Sequence, residues 1–280
     1  METTEQQFME EILDDLERNR LTLPTLPEVA LRIRDVVEDE RATAGQIADT
    51  IAQDAALSAR LLQVVNSPLY RGRSPIDNLK LAVARLGNIQ VRNLVTGLAM
   101  RQMFQATDEE LEIRLHLLWQ HSVQVAAISA ALSAAIPSLQ RDQAMLAGLI
   151  HDVGALPILA KAEEREELLD NPKMLDNLIR QLHGRLGGEI LRRWDFPEML
   201  VVVAEEHDHL ERDHDGGADY TDLVMVANLQ SYIGTDHPHT QLDWSRVPAF
   251  SRVGLEPEVQ VVEMEEHSEG IREIEVALGA

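Results

Sequence analysis

Cysteine is absent from this 280-residue chain, which excludes disulfides, thiolate nucleophiles and cysteine-ligated zinc. Aromatic side chains are scarce, 4% against a hydrophobic share of 45%, so the core must be built from Leu, Val, Ile and Ala. Positive charge is scarce too: 25 Lys and Arg face 48 Asp and Glu, a formal net charge of −23. Such a surface repels polyphosphate, which argues against general affinity for nucleic acid or anionic lipid. No apolar run of roughly 18 residues stands out as a membrane span, and the start Met1-Glu2-Thr3-Thr4-Glu5 lacks the basic and apolar parts of a signal peptide. The expectation is a soluble, cytoplasmic protein that binds neither DNA nor membrane.

Strand-like alternation is missing as well, and no internal repeat is visible. What the chain does have is helical periodicity. Phe8, Ile12, Leu13 and Leu16 define a first helix. Pro24 and Pro27 stop it, and Pro27 suits the first position of a second helix carrying Val29, Ile33, Val36 and Val37 on one face. Thr43 and Asp54 read as N-caps of two short helices. A helix-turn-helix fits that pair in outline, but the charge of the chain opposes DNA binding. Helical runs follow over Leu79 to Leu86, Ile89 to Met103, Glu109 to Ile136, Arg141 to Ile150, Pro172 to Arg193, Pro197 to Glu206 and Thr221 to Ile233. The run from Glu109 is apolar around much of its girth and is expected at the centre. Glu163 to Leu169 reads as a polar connection, Glu211 to Gly217 as a solvated loop, and Glu258 to Leu278 as one or two amphipathic helices. The fold class is all-α, as one large domain or two lobes.

Charge is unevenly spread. Val201 to Ala280 holds 18 Asp or Glu against 4 Arg and no Lys, whereas Arg60 to Arg101 holds six Arg plus Lys80 against Asp77 alone. The plain expectation is that the basic stretch packs near the acidic end. The alternative is a docking surface for a partner or phosphate.

His151-Asp152 sits behind the apolar run Leu146, Ala147, Leu149 and Ile150, with His121, His183 and His207-Asp208-His209 at a distance. Imidazole and carboxylate suit Fe, Mn, Zn or Ni, and a metal so held lowers the pKa of water enough for attack on a phosphoester. Each residue also has a plainer reading: His121 and His183 as satisfied core histidines, His207 and His209 as members of a charged surface loop. Gly184, Gly187 and Gly188 indicate a close backbone neighbour. His214, His237, His239 and His267 read as exposed.

Several stretches resemble the HDOD (HD-related output domain) family of the HD metal-dependent phosphohydrolase superfamily. They are Leu23-Pro24-Thr25-Leu26-Pro27-Glu28-Val29, Ile51 to Leu62, Val65-Asn66-Ser67-Pro68-Leu69-Tyr70, Ala82 to Gly87, Val91-Arg92-Asn93-Leu94-Val95, Trp119 and His121, the HD pair, His183 to Gly187, Trp194-Asp195-Phe196-Pro197 and Leu223 to Asn228. The resemblance covers about Leu23 to Tyr232. It implies a two-lobed helical body used in bacterial signal transduction, with receiver or cyclic-dinucleotide-turnover domains as partners. The implied division is an N-terminal helix over 1–22, an N-terminal helical lobe over 23–105, an HD-like lobe over 106–234 and an acidic extension over 235–280.

His121, His151, Asp152, His183 and His207 match ligand positions of catalytic relatives, and Asp208 stands where bimetallic relatives have a second adjacent histidine. Ala155 replaces an expected Lys and Asn228 an expected Asp, and the Gly-Tyr-Pro motif of the cyclic-di-GMP phosphodiesterase branch is absent. Asparagine brings no negative charge to a dication. The leading expectation is therefore a non-catalytic signalling module with a degenerate HD site and no cofactor. The alternative is a metal-dependent phosphohydrolase holding Fe, Mn, Ni or Zn, with Asp152 its central carboxylate. A third is a nucleotide receptor using Arg60, Arg71, Arg73, Lys80, Arg85 or Arg92 for phosphate.

Overall fold

The computed structural model describes residues 4–39, 41–72 and 74–279, and no strand occurs among them. The helices are α1 (Thr4–Glu17), α2 (Glu28–Glu38), α3 (Ala44–Ile51), α4 (Ala55–Asn66), α5 (Leu79–Leu86), α6 (Asn88–Met100), α7 (Glu109–Leu132), α8 (Arg141–Ile150), α9 (Ala155–Glu163), α10 (Glu166–Leu169), α11 (Pro172–Arg193), α12 (Glu198–Glu206), α13 (Tyr220–Ser231), α14 (Pro248–Val253) and α15 (Glu265–Leu278). Local chemistry sets many of the starts. Thr43 and Gln46 close a capping box at α3, and Asp54 and Asp108 accept from Leu57 N and Leu111 N. Pro27 is the N-cap of α2 and not its first residue, because its ψ of 139° is extended.

Two parts of the chain are more helical than their patterns suggested. The residues after the HD pair form α9, with Pro157 tolerated in its first turn, and the polar connection contains α10. The tail is also built, with α14, α15 and short 3-10 turns at Pro238–Gln241 and Trp244–Arg246. Helix α15 folds back onto α4 and α7, so the acidic end does cover part of the basic stretch.

The two lobes meet where α6 packs on α8. In the N-terminal lobe α2, α3, α4 and α5 surround α6; in the C-terminal lobe α8, α13 and α15 pack on α7, and α12 lies between α11 and α13. Helix α1 does not join the N-terminal lobe: it packs on α11, tied down by Lys161, whose ammonium reaches Glu11 and Asp15 at 2.9 Å each. Every residue of α13 is buried. The stretch Arg141–Glu163 is long and apolar enough to cross a membrane, against the expectation that no such run exists, but 83% of its apolar 18-residue window is buried inside the fold.

Glycine makes the closest approaches. A Cβ on Gly148 would lie 2.6 Å from Ala126 Cα, so α7 and α8 touch backbone to backbone. A Cβ on Gly154 would lie 1.9 Å from the His183 carbonyl oxygen and 2.4 Å from Gly187 N. The turn after Asp152 is thereby seated on α11 beside His183. Gly154→Ala must push these backbones apart and is expected to cost about 3 kcal/mol, read from denaturant unfolding. Gly217→Ala, where no atom lies within 4 Å of the added carbon, should stay within about 0.5 kcal/mol.

Candidate metal centre

Four helices bring imidazoles to one carboxylate. His121 comes from the middle of α7, His151 is the C-cap of α8, His183 lies within α11 and His207 is the C-cap of α12. Asp152 is in the turn after α8 and divides its two oxygens between two pairs. Its Oδ2 faces His151 Nε2 at 3.2 Å and His121 Nε2 at 3.6 Å; its Oδ1 faces His207 Nε2 at 3.3 Å and His183 Nε2 at 3.6 Å. Within each pair the Nε2 atoms are 3.3 Å apart. Two trios result, His121/His151/Asp152 and Asp152/His183/His207, each compact enough to hold one cation, with Asp152 common to both.

The rings are oriented by their other nitrogens. His151 Nδ1 donates to the Gly148 carbonyl at 2.7 Å, His183 Nδ1 to that of Ile179 at 2.8 Å and His207 Nδ1 to that of Val203 at 3.0 Å. The Ser231 hydroxyl is spent on the Asn228 carbonyl, so at 3.4 Å its oxygen accepts from His121 Nδ1. Each neutral imidazole therefore presents an Nε2 lone pair inward. Lone pairs facing lone pairs and a carboxylate repel unless a proton or metal cation lies among them. The helix C-termini behind His151 and His207 add negative potential that favours such a cation.

Protonation is one way to supply that positive charge, and His207 takes it. Asp152 is held well below the usual carboxylate range: burial pushes it up, but the imidazoles of His151, His207 and His183 outweigh that. Burial likewise opposes charge on His207, yet its bond to Asp152 and the charges of Asp208 and Asp152 hold it at about 9. Burial, then His151 and His207, push His121 down to about 4 against the opposing pull of Asp152 and Asp208.

Asp208 lies outside both trios but adjoins the second, with Oδ2 3.5 Å from His183 Nε2 and Oδ1 3.8 Å from His207 Nε2. Asn228 donates Nδ2 to Asp208 Oδ1 at 3.2 Å, while its own Oδ1 is buried without a hydrogen-bond partner. This orphaned acceptor, with the inward lone pairs, fits a cation site. Ala155 is 1% exposed within the packing of α9, so nothing of its position reaches solvent or an anion.

His237 and His239, expected to be exposed, also gather here. Tyr232, one turn after Asn228, stacks on His121 with centroids 5.1 Å apart and on His237 at 3.6 Å, and His239 stands edge-on to His237 at 4.7 Å. A cavity of about 430 Å³ opens onto Asp152, His183 and Asp208 past Tyr232, His237 and His239, and one of about 480 Å³ adjoins it on the α11–α12 side. Arg180 borders both. Its spacing of three residues from His183 on a helix was the legible signal. His237-Pro238-His239 gave none, since its placement depends on the path of the tail. His209 is exposed at the outer rim.

The basic candidates do not gather. Arg60 is partly buried, Arg71 and Lys80 are exposed, and Arg85 donates to the Ser74 carbonyl at 2.7 Å. Arg73 lies outside the described residues. Arg92 borders a cavity away from the HD centre.

His214 is not a bystander either. It bonds Asp222 Oδ2 at 2.9 Å in a network where Arg212 joins Glu206, Asp219 and the fully buried Asp222. Arg212 already supplies the cation to these carboxylates, which makes them an ion-pair network and not a second metal site.

An all-helical fold with a carboxylate shared by four imidazoles defines an HD-type domain. The HDOD domain description matches residues 23–210, and the chain belongs to the HDOD family. It is similar to a Shewanella amazonensis protein provisionally named a metal-dependent phosphohydrolase, with TM-score 0.87, 31% identity and coverage of 98% of this chain and 99% of that one. It shares its fold with an HDOD domain protein of unknown function from Geobacter sulfurreducens, at TM-score 0.66 and 23% identity over 98% and 95% of the two chains. An uncharacterized Treponema pallidum protein is 25% identical over 253 residues, 85% of this chain, and the chain spans 48% of that relative's length.

The bond to Asp222, then the Asp215 carbonyl, raises His214 above its ordinary 6.5 despite the partial burial and Arg212 that oppose it. A raised folded-state pKa adds stability that is complete below the unfolded value and fades as pH rises through the folded one. His214→Gln is thus expected to destabilise the chain at pH 6 and to approach wild type at high pH, measured by urea unfolding across pH.

Proposed function

We propose that this chain is a cation-holding HDOD signalling module that works by binding and not by turnover. The observation that carries this reading is the set of inward Nε2 atoms around Asp152, joined to two departures from a catalytic site. His121, His151 and His183 with His207, all sharing Asp152, would hold a divalent cation of the Fe, Mn, Ni or Zn class, with Asp208 and Asn228 Oδ1 at its edge. A cation bound there supplies Lewis acidity toward water or a phosphoryl oxygen. Asn228 orients Asp208 through its amide but adds no negative charge, which weakens the hold on a dication. Ala155 leaves the position after His-Asp-Val-Gly without charge for an anion. Receiver or cyclic-dinucleotide-turnover domains are the partners this reading expects.

One observation favours the phosphohydrolase reading. Arg180 is exposed at the mouth of both cavities, and its guanidinium suits a phosphoryl group. That would replace the charge missing at Ala155.

Elemental analysis of untreated protein, followed by assay with cyclic di-GMP and bis(p-nitrophenyl) phosphate, tests both. Stoichiometric divalent metal, lost in Asp152→Ala, with no metal-dependent hydrolysis above background is the expected outcome. A metal-dependent rate that Asp152→Ala abolishes and Arg180→Ala lowers about tenfold would replace it with the phosphohydrolase. Protein without metal would end both readings.

A further inference from the structure

Away from the HD centre, a cleft of about 100 Å³ lies on the seam between the lobes. Three separated stretches that carry the family resemblance meet there: Leu26, then Arg92 and Asn93, then Trp194 to Pro197. The N-terminal lobe adds Arg34 and Thr96, and α8 adds Gln143 and Leu146. The wall is tied across the seam, since Trp194 Nε1 donates to the Pro24 carbonyl at 3.1 Å and Arg34 Nη1 to the Trp194 carbonyl at 2.9 Å. The turn holding it contains Asp195 at φ 55°, left-handed for a residue with a side chain.

The two arginines are the unusual part. Arg92 gives Nη2 to Asn93 Oδ1 at 3.3 Å, and among the described residues neither Arg34 nor Arg92 forms a salt bridge. In a chain of net charge −23, two half-buried guanidiniums face one cleft with no ion pair of their own; the buried Asp142 feels the charge of Arg92 from behind the wall, and the cleft side of both forks is left for an anion. Glu38 and Asp195 border the cleft but are exposed at its rim. Behind it, the buried Asp142 gives one oxygen to Asn93 Nδ2 at 2.7 Å and so fixes Asn93. Leu26, Phe196 and Leu200 line the rest with apolar surface.

We infer that this cleft binds a small phosphate monoester, its phosphoryl group between Arg34 and Arg92 and its apolar portion against Phe196 and Leu200. Guanidinium forks match phosphoryl oxygens in geometry and charge. The Thr96 hydroxyl is available to the same group. The inference is independent of the HD centre and of any metal there.

Calorimetric titration of the full chain with phenyl phosphate tests it. Saturable binding is expected, weakened at least tenfold in Arg92→Gln and in Arg34→Gln and unchanged in His183→Gln, which reports binding at the HD centre. If Arg92→Gln fails to fold, Arg92→Lys keeps the charge without the fork and should still weaken binding. No saturable heat at millimolar phenyl phosphate, wild-type affinity in the arginine variants, or loss in His183→Gln would each overturn the assignment.

Discussion

The carboxylate of Asp152 is the constraint on which the C-terminal lobe depends. It is 17% exposed and faces four imidazoles, so most of the water that would stabilise its charge has been removed. Burying a lone carboxylate is costly, and the expense is met here by positive or metal-ready groups brought from α7, α8, α11 and α12. Each of those groups must in turn be aimed. Three imidazoles are aimed by their own helix, donating Nδ1 to carbonyls three or four residues earlier. The fourth, His121, lacks such a bond and leans on Ser231 and the ring of Tyr232 from α13. That explains why α13 is buried along its whole length: it is the back wall of the site as well as part of the core.

Reaching that geometry requires helices closer than ordinary side chains allow. Gly148 lets α8 meet α7 so that His151 and His121 come within 3.3 Å. Gly154 does the same for the HD turn against α11, and Gly187 and Gly184 clear space for α12. The glycines at 184, 187 and 188 signalled a close backbone neighbour in the sequence, and α12 with the HD turn is that neighbour.

Legibility followed locality. Caps at Thr43 and Asp54 could be read because a cap is a bond between a side chain and an amide three residues on. The residues that converge on Asp152 could be picked out because, in a chain without cysteine, imidazole and carboxylate are the side chains suited to a transition-metal cation. What could not be read was the division of Asp152 between two pairs, since it depends on four helix axes at once. The path of the tail was equally hidden. His237 and His239 lie in a stretch without periodicity, and only tertiary packing brings them over Tyr232. The basic stretch was misleading for the opposite reason. Charges adjacent in sequence fall on different helix faces, and Arg92 finds its companion in Arg34, which the charge pattern did not single out.

The same two helices serve both places where a ligand could sit. Helix α8 borders the interlobe cleft through Gln143 and Leu146 and ends at His151. Helix α11 carries His183 and ends at Trp194 on the cleft wall. Backbone contacts at Gly148 and Gly154 fix how these helices sit against α7 and the HD turn. The interlobe seam and the HD centre are therefore built on the same two helices, each of which carries a cleft residue and an imidazole at separate positions along its length.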